Sequence, residues 1–132
     1  MTVLGVGLDL VAVDRVRRLL QRHGKRALER LLTDRERAYC QEQPMPARHV
    51  AVRLAAKEAA YKAFQGASHA RGIGWRELEV GRLSDGRPEL ILHGRALTVA
   101  RKLSVSEIFL SLSHTDDHAA AVVILVTAPR PD

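Results

Sequence analysis

The sequence predicts a single domain that combines helices and strands, and three observations lead to this prediction. The chain has 132 residues, a length typical of one domain. Residues 52–66 have a helical pattern with a face of small residues, which lets a helix lie close against a sheet or another helix. Apolar runs at residues 3–11 and 119–126 are typical of strands. No repeat or linker divides the sequence, so we expect one domain over residues 1–127 and a disordered tail at 128–132.

The first predicted element is a buried strand at residues 3–11. On one side it places glycines and Asp9, and on the other an apolar series: Leu4, Val6, Leu8 and Leu10. Glycines ahead of a carboxylate clear space on that side of the strand. Either a ligand approaches the backbone there, or another element crosses the strand tightly and Asp9 caps the next helix.

A helix is predicted to begin after an Asp14 N-cap and to end near residue 23, with Gly24 just beyond its end. We expect its apolar stripe to contain Val16, Leu19, Leu20 and His23. A neighbouring track is basic and contains Arg15, Arg18 and Arg22. Such a track is either an ordinary solvated face or a docking surface for an acidic protein or a phosphate.

A second helical segment, residues 26–32, leads to a capping box formed by Thr33 and Glu36. The box predicts a further short helix through Cys40, and the proline-containing stretch 41–46 then breaks the chain. Cys40 has no other cysteine or histidine at metal-ligand spacing, so it is predicted to be a small core residue.

The central helix, residues 52–66, has a polar face opposite its small residues. That face contains Arg53, Lys57, Glu58, Tyr61, Lys62 and Gln65. One interpretation is a solvated face with an ordinary pair between Glu58 and Lys62. The other is a site for a metal and a polyphosphate, with Glu58 on the cation and the lysines on phosphate oxygens.

The second half of the chain is predicted to contain mostly strands. A mobile-looking glycine loop at 67–74 offers backbone N–H groups to an anion, and a hairpin with strands at 75–81 and 88–93 follows it. Residues 94–103 form a predicted helix with Leu97, Ala100 and Leu103 facing inward. Strands at 107–113 and 119–126, the second one central in the sheet, flank a polar turn at 113–118.

Composition narrows the possible functions. The formal net charge is +6, which favours an anionic partner: a nucleic acid, an acidic protein or a phosphorylated small molecule. Aromatic residues make up only 4% of the chain, which leaves few surfaces for stacking single-stranded nucleic acid. The single cysteine fits a cytoplasmic location, and no apolar run approaches membrane-spanning length. The histidines at 114 and 118 lack further zinc ligands, and Ser111, Ser113, His114 and Asp116 are too close in sequence for a hydrolase triad.

Three stretches together carry a family resemblance: residues 5–11 (GVGLDLV), 53–59 (RLAAKEA) and 110–115 (LSLSHT). With these motifs the chain resembles the 4′-phosphopantetheinyl transferases, and among them the short, single-domain holo-acyl-carrier-protein synthases. The resemblance implies an α+β fold with a curved, mostly antiparallel sheet packed against the long helix. It also implies transfer of phosphopantetheine from coenzyme A to a serine of an apo acyl-carrier protein, which leaves adenosine 3′,5′-bisphosphate.

The resemblance further implies roles for individual residues. Asp9 and Glu58 match the two carboxylates that hold Mg²⁺, and Lys62 and His114 match phosphate contacts. Arg53, with Gly72 and Gly74, is expected to hold the nucleotide end of coenzyme A, while Lys57 either binds phosphate or supports the helix. Longer, fused relatives often have a second acid where this chain has Val11, so a water is expected there. The base that deprotonates the serine, Glu58 or a water on the metal, stays open.

The resemblance also implies partners. Arg15, Arg18 and Arg22 are expected to receive the acidic helix of the carrier, and the short members form homotrimers with sites between subunits. The alternatives are a small basic nucleic-acid-binding protein and a metal-dependent phosphohydrolase. A nucleic-acid-binding protein does not account for Asp9 on its strand or for Glu58 within a cationic face. A phosphohydrolase accounts for the acids and cations, but not for the small size without a metal-ligand cluster. We therefore expect neither a nucleic acid nor a membrane as partner.

Overall fold

The computed structural model describes residues 1–64 and 70–129. Gln65 of the predicted polar face, the predicted C-cap at Gly66 and residues 67–69 of the glycine loop lie outside these ranges, as do the last three residues of the predicted tail. The elements follow in this order: β1 (Thr2–Ala12), α1 (Val13–Leu31), α2 (Asp34–Gln41), α3 (Pro46–Phe64), a 3₁₀ helix (Trp75–Glu77), β2 (Leu78–Arg82), β3 (Pro88–Leu92), α4 (Gly94–Lys102), β4 (Glu107–His114) and β5 (His118–Thr127). The hairpin strand predicted from residue 75 thus begins at Leu78, because a 3₁₀ turn precedes it.

The strands form two antiparallel sheets, and helices pack against them. One sheet has the order β1-β5-β4 and the other is the hairpin of β2 and β3. The predicted α+β class with antiparallel strands is therefore confirmed, and β5 is central as expected. The strands divide between two sheets, where one sheet was expected.

The prediction of a buried β1 was wrong for its apolar side. Val6, Leu8 and Leu10 are each about 60% exposed. The opposite side is buried because α3 crosses it at close range. A Cβ atom built on Gly7 would lie 1.7 Å from the Ala59 carbonyl oxygen. The glycines thus make room for a helix, as in the second of the two interpretations given above, but Asp9 does not cap α1, whose N-cap is Ala12.

Helix α3 is buried on most of its surface, which disagrees with the interpretation of its polar face as an ordinary solvated one. It begins at Pro46, the last residue of the predicted break, and so adds residues 47–51 ahead of the predicted helix. Arg53 is 7% exposed and Lys57 is fully buried, while Glu58 keeps partial exposure. Of the predicted polar face, only the edge that carries Glu58, Tyr61 and Lys62 reaches solvent in the described part of the helix.

The helices before α3 follow the prediction with local differences. Helix α1 begins at Val13 after an Ala12 N-cap, so Asp14 lies in its first turn instead of capping it. Gly24 interrupts α1 with φ 47° and ψ −122°, a conformation that glycine adopts readily, which places a kink where the sequence predicted an end. His23 is exposed and lies outside the apolar stripe. The capping box of Thr33 and Glu36 is confirmed.

Two further details complete the core. Helix α4 buries Ala96, Val99 and Ala100, so its inward face is shifted from the one predicted. Cys40 is buried as expected, and burial raises the pKa of its thiol to about 11, which makes it unreactive at neutral pH. Within residues 1–64 and 70–129, no helix is both long and apolar enough to cross a membrane.

Candidate active site

The contact between β1 and α3 brings three of the predicted site residues together. Lys62 Nζ lies 2.8 Å from Asp9 Oδ1 and also donates to the Leu8 carbonyl oxygen at 3.1 Å. From α1, Arg15 Nη2 approaches Glu58 Oε1 at 3.8 Å. We call Asp9, Arg15, Glu58 and Lys62 the carboxylate cluster. Its members come from β1, α1 and α3. The glycines of β1 let α3 approach the strand that carries Asp9.

The two acids of this cluster differ in ionisation. Burial, the hydrogen bond with Asp9 and the negative charge of Asp9 raise the pKa of Glu58 to about 7. Burial acts to raise the pKa of Asp9 too, but hydrogen bonds with Glu58 and Lys62 outweigh it, and this pKa lies below its ordinary value. Near neutral pH, Asp9 is therefore ionised, while Glu58 is protonated in about half of the molecules.

The cluster fits a hard divalent cation. Asp9 Oδ2 is buried and has no donor among the described residues when both acids are ionised. No group of three or more His, Cys, Asp or Glu side chains that could hold a metal occurs in residues 1–64 and 70–129. A pair of carboxylates suits Mg²⁺, which keeps several waters or phosphate oxygens in its shell.

A second region is a basic cavity of about 1140 Å³ between α3, the β2–β3 hairpin, α4 and β4. Arg53 and His114 both line it, with further basic residues that the sequence analysis did not select: His49, Arg82, Arg87 and Arg101. We call this the basic cavity. Burial and the positive charges of Arg53 and His114 lower the pKa of His49, in keeping with a positive potential that favours an anion.

Arg53 is oriented for anion binding in this cavity. Its guanidinium lies 4.5 Å from the centre of the Tyr39 ring, and Nη1 donates to the His49 carbonyl oxygen at 3.1 Å. Nε is buried and finds no hydrogen-bond acceptor in the described part of the chain. The i,i+4 spacing of His49 and Arg53 was visible in the sequence, but the prolines nearby placed residue 49 outside the predicted helix.

The structure separates the site residues that the sequence grouped on one helical face. Arg53 and Lys62 are nine residues apart on α3, which turns them about 180° from each other around the helix axis. Arg53 and His114 line the basic cavity, whereas Asp9, Glu58 and Lys62 are not part of its lining. Arg53 and His114 therefore lie in one region of the chain, and Asp9, Glu58 and Lys62 lie in another.

Lys57 is not available to a phosphate, which corrects its assignment as a coenzyme A ligand. Its ammonium donates to Glu36 Oε1 at 2.7 Å and to the carbonyl oxygens of Trp75 at 2.9 Å and Leu78 at 2.7 Å. A lysine has three donors, so all of them are used. Of the two roles considered for Lys57, support of the helix agrees with these contacts.

The glycine loop also differs from the expectation. The Gly74 N–H donates to Glu77 Oε1 at 2.7 Å, so it is not offered to an anion. Gly72 is exposed with φ 89° and packs near the Arg95 side chain. Neither glycine lines the basic cavity. Their predicted contacts with coenzyme A therefore receive no support from their surroundings.

The basic track of α1 is exposed as predicted. Arg15 and Arg18 have side chains 60% and 64% exposed, and Arg22 is exposed as well. Arg18 makes one long ion pair with Asp14, at 3.9 Å. The start of this track touches the carboxylate cluster through Arg15. A partner that binds along α1 therefore comes close to Asp9 and Glu58.

Comparisons with known proteins agree with this arrangement. A family model described as the 4′-phosphopantetheinyl transferase superfamily matches residues 5–123. The holo-[acyl-carrier-protein] synthase of Koribacter versatilis is 44% identical over 123 residues, which cover 93% of this chain and 98% of the relative. That of Alkalilimnicola ehrlichii is 48% identical over 124 residues, with coverage of 93% and 96%.

Solved structures show the same fold. The acyl carrier protein synthase of Mycobacterium tuberculosis has 34% sequence identity and a TM-score of 0.71, over 96% of this chain and all of that one. A complex of the Chronobacterium ammoniagenes enzyme with coenzyme A has 29% identity and a TM-score of 0.80, over 98% of this chain and 100% of that one. The chain belongs to the 4′-phosphopantetheinyl transferase superfamily, and its relatives are the short synthases of holo-acyl-carrier protein.

Proposed function

We propose that the protein transfers 4′-phosphopantetheine from coenzyme A to a serine of an apo acyl-carrier protein. The observation that carries this proposal is the carboxylate cluster, where Asp9 and Glu58 meet beside Lys62 within a chain of this family. Its curated relatives are named for this activity, and coenzyme A is present in the Chronobacterium ammoniagenes complex.

The reaction is a phosphoryl transfer. The serine oxygen forms a bond to the phosphorus next to the pantetheine arm, and the bond from that phosphorus to the bridging oxygen breaks. Adenosine 3′,5′-bisphosphate leaves with that oxygen and its electron pair. The serine proton passes to a base, and Glu58 is our candidate because its carboxylate lies in the cluster beside Asp9.

Asp9 and Glu58 would hold Mg²⁺, which supplies positive charge to the pyrophosphate oxygens when it is bound. The Lys62 ammonium forms an ion pair with the Asp9 carboxylate, and the Lys62 side chain is 48% exposed. The ammonium can therefore turn from this carboxylate to a phosphate oxygen. There it would stabilise charge that develops in the transition state. Through this contact Asp9 keeps the Lys62 ammonium close to where the reacting phosphates would bind.

The basic cavity would hold the nucleotide end of coenzyme A, with Arg53 and His114 on its phosphates. Arg53 Nε is already buried without an acceptor, so an entering phosphate oxygen would satisfy it. Because this cavity and the carboxylate cluster lie on different sides of α3, one coenzyme A would bind the cluster of one subunit and the cavity of the next.

A homotrimer with sites between subunits would provide this arrangement. The outer face of the β1-β5-β4 sheet supports a trimer. This face is apolar and exposed to water in a single chain, and a neighbouring subunit would cover it. Neighbouring strands contribute to this sheet face: Val6, Leu8 and Leu10 from β1, Val122 and Ile124 from β5, and Phe109 from β4. We expect these residues to pack against other copies of the chain.

The exposed arginines of α1 would receive the carrier. We expect an acidic helix of the carrier to bind along Arg15, Arg18 and Arg22. Because Arg15 belongs to the carboxylate cluster, the carrier serine would then lie close to that cluster. We also expect the enzyme to be cytoplasmic and to serve fatty-acid synthesis, as carrier proteins of that pathway require phosphopantetheine.

Mass spectrometry tests the proposed reaction directly. The protein is incubated with coenzyme A, Mg²⁺ and an apo acyl-carrier protein, and the carrier is expected to gain one phosphopantetheine. Omission of Mg²⁺ with EDTA present is expected to abolish the gain. A carrier serine replaced by alanine is the control. Release of inorganic phosphate without carrier modification would support a phosphohydrolase instead and contradict the proposal.

A further inference from the structure

A buried ion pair joins three elements beside the carboxylate cluster. Lys57 on α3 and Glu36 on α2 lie 2.7 Å apart, with side chains that are both fully buried. Glu36 Oε1 also accepts the Thr33 N–H at 3.0 Å, and Oε2 accepts the Val80 N–H of β2 at 3.1 Å. We call Glu36 and Lys57 the buried pair. It ties α3 to α2 and to the hairpin at once.

The buried pair holds α3 from the side opposite β1. Lys57 and Ala59 are two residues apart, about 200° around the helix axis. The Ala59 and Ala63 carbonyl oxygens lie against Gly7 and Gly5 of β1, with no room for a Cβ atom on either glycine. The rotation of α3 about its axis is therefore constrained from two sides.

This rotation decides which residues face Asp9. Glu58 follows Lys57 directly, and Lys62 follows Glu58 by four residues, so both share the helix edge next to β1. A small rotation of α3 would move both side chains relative to Asp9, which is fixed on the strand. Lys62 Nζ lies 2.8 Å from Asp9 Oδ1, a contact that such a rotation would lengthen.

We propose that Lys57 is a positioning residue, which through Glu36 sets the rotation of α3 so that Glu58 and Lys62 face Asp9. The proposal rests on the proposed function of the carboxylate cluster. It differs from two other roles for the same lysine. A phosphate ligand would hold coenzyme A directly, and a purely stabilising residue would affect unfolding without affecting the cluster.

The test uses three variants and one control. Lys57→Met removes the ammonium and keeps an unbranched side chain. Glu36→Gln removes the charge of its partner and keeps the shape, and the double variant removes both charges together, which avoids an uncompensated buried carboxylate. Lys102→Met is the control, because it makes the same change at an exposed lysine at the end of α4.

Four quantities are measured for each protein below its melting temperature. These are the Mn²⁺ dissociation constant by electron paramagnetic resonance, coenzyme A binding by calorimetry in EDTA, kcat and KM for the transfer, and the melting temperature. For Lys57→Met and the double variant we expect a loss of about 10- to 100-fold in Mn²⁺ affinity and in kcat, as for other residues that orient metal ligands. Glu36→Gln should lie between these variants and wild type.

Metal-free coenzyme A binding should fall much less than Mn²⁺ affinity in these variants, because Arg53 also lies on α3 but lines the basic cavity and not the cluster. Every quantity should stay unchanged for Lys102→Met. A loss of metal-free coenzyme A binding with normal Mn²⁺ affinity would make Lys57 a phosphate ligand and overturn the proposal. A lower melting temperature with unchanged Mn²⁺ affinity and kcat would make it purely stabilising, with the same consequence. Failure of the proposed function itself would be visible separately, as absence of transfer by wild type.

Discussion

At the scale of single residues, Asp9 and Glu58 determine whether the cluster can hold a cation. We expect Asp9→Asn and Glu58→Gln each to lower the transfer rate by at least ~10²-fold, since loss of one of two carboxylates weakens and displaces the cation. The measurement is kcat at ordinary Mg²⁺, with the melting temperature as control for folding. Near-normal turnover in either variant would remove that residue from the site.

The raised pKa of Glu58 predicts a pH dependence of cation binding. Because the pKa is about 7, Glu58 is mostly protonated below pH 7 and must lose its proton before it can bind a cation. We expect Mn²⁺ affinity to rise as the pH increases towards 7 and to level off above it. In Glu58→Gln the remaining, weaker binding should lack this rise.

The same shift has a consequence for stability. The folded pKa of Glu58 lies above its ordinary value of 4.5, so the folded state holds this proton more tightly than the unfolded state. Between pH 4.5 and about 7 the cation-free protein should therefore lose stability as the pH rises. Denaturant unfolding at several pH values, with Glu58→Gln as the comparison, measures this contribution. A wild type without this trend relative to the variant would contradict the assignment.

At the scale of elements, the close contact of β1 with α3 brings the site together. A Cβ atom on Gly7 would lie 1.7 Å from the Ala59 carbonyl oxygen, so Gly7→Ala must push the helix away. We expect a stability loss of about 1–3 kcal/mol, as for other overpacked cores, together with reduced Mn²⁺ affinity. Gly74→Ala is a milder control, because its Cβ would meet the end of the flexible Glu77 side chain at 3.2 Å.

The proposed function and a nucleic-acid function predict different effects for charge reversal on helix α1. Reversal of Arg18 and Arg22, which lie outside the carboxylate cluster, to Glu should raise the Michaelis constant for the carrier strongly and leave coenzyme A binding nearly unchanged, because charged rims mainly control association. Arg26 and Arg30, which are exposed beyond the Gly24 kink, give a control with the same change in charge.

Carrier kinetics measured over a range of salt concentrations check this prediction. Intact carrier kinetics after the double reversal would contradict docking along α1, as would equal damage to coenzyme A binding. Tight, salt-sensitive retention of DNA by wild type that the reversal abolishes would favour the nucleic-acid function.

At the scale of the whole molecule, the exposed sheet face predicts the assembly. Leu8 and Leu10 are 62% and 64% exposed, and we expect neighbouring subunits to cover them. Replacement of both by Lys should give a folded monomer without transfer activity, because the site would lose its second half. Leu83→Lys, at an exposed leucine of the hairpin loop, is the control for the mass alone, because Leu83 lines the basic cavity. Light scattering measures the mass, and an active monomeric wild type would rule out the shared site.

Much of this protein follows from the sequence by itself. Local patterns were sufficient for the class of fold, the capping box at Thr33, the interruption of α1 at Gly24 and the central position of β5. Capping and turn formation depend on residues a few positions apart, so the sequence displays them directly. The motifs around Asp9, Glu58 and His114 were likewise sufficient for the family.

Only the tertiary structure decided which face of each element is buried. Periodicity predicted a buried apolar side on β1, but the structure exposes most of it. For the polar side of α3 it left open a solvated face, but Arg53 and Lys57 of that side are buried. The β1 leucines remain exposed within one chain, while Lys57 is buried because Glu36 and two carbonyl oxygens from distant segments satisfy its three donors. Burial of a charge depends on partners that are remote in sequence, and a local pattern does not contain them.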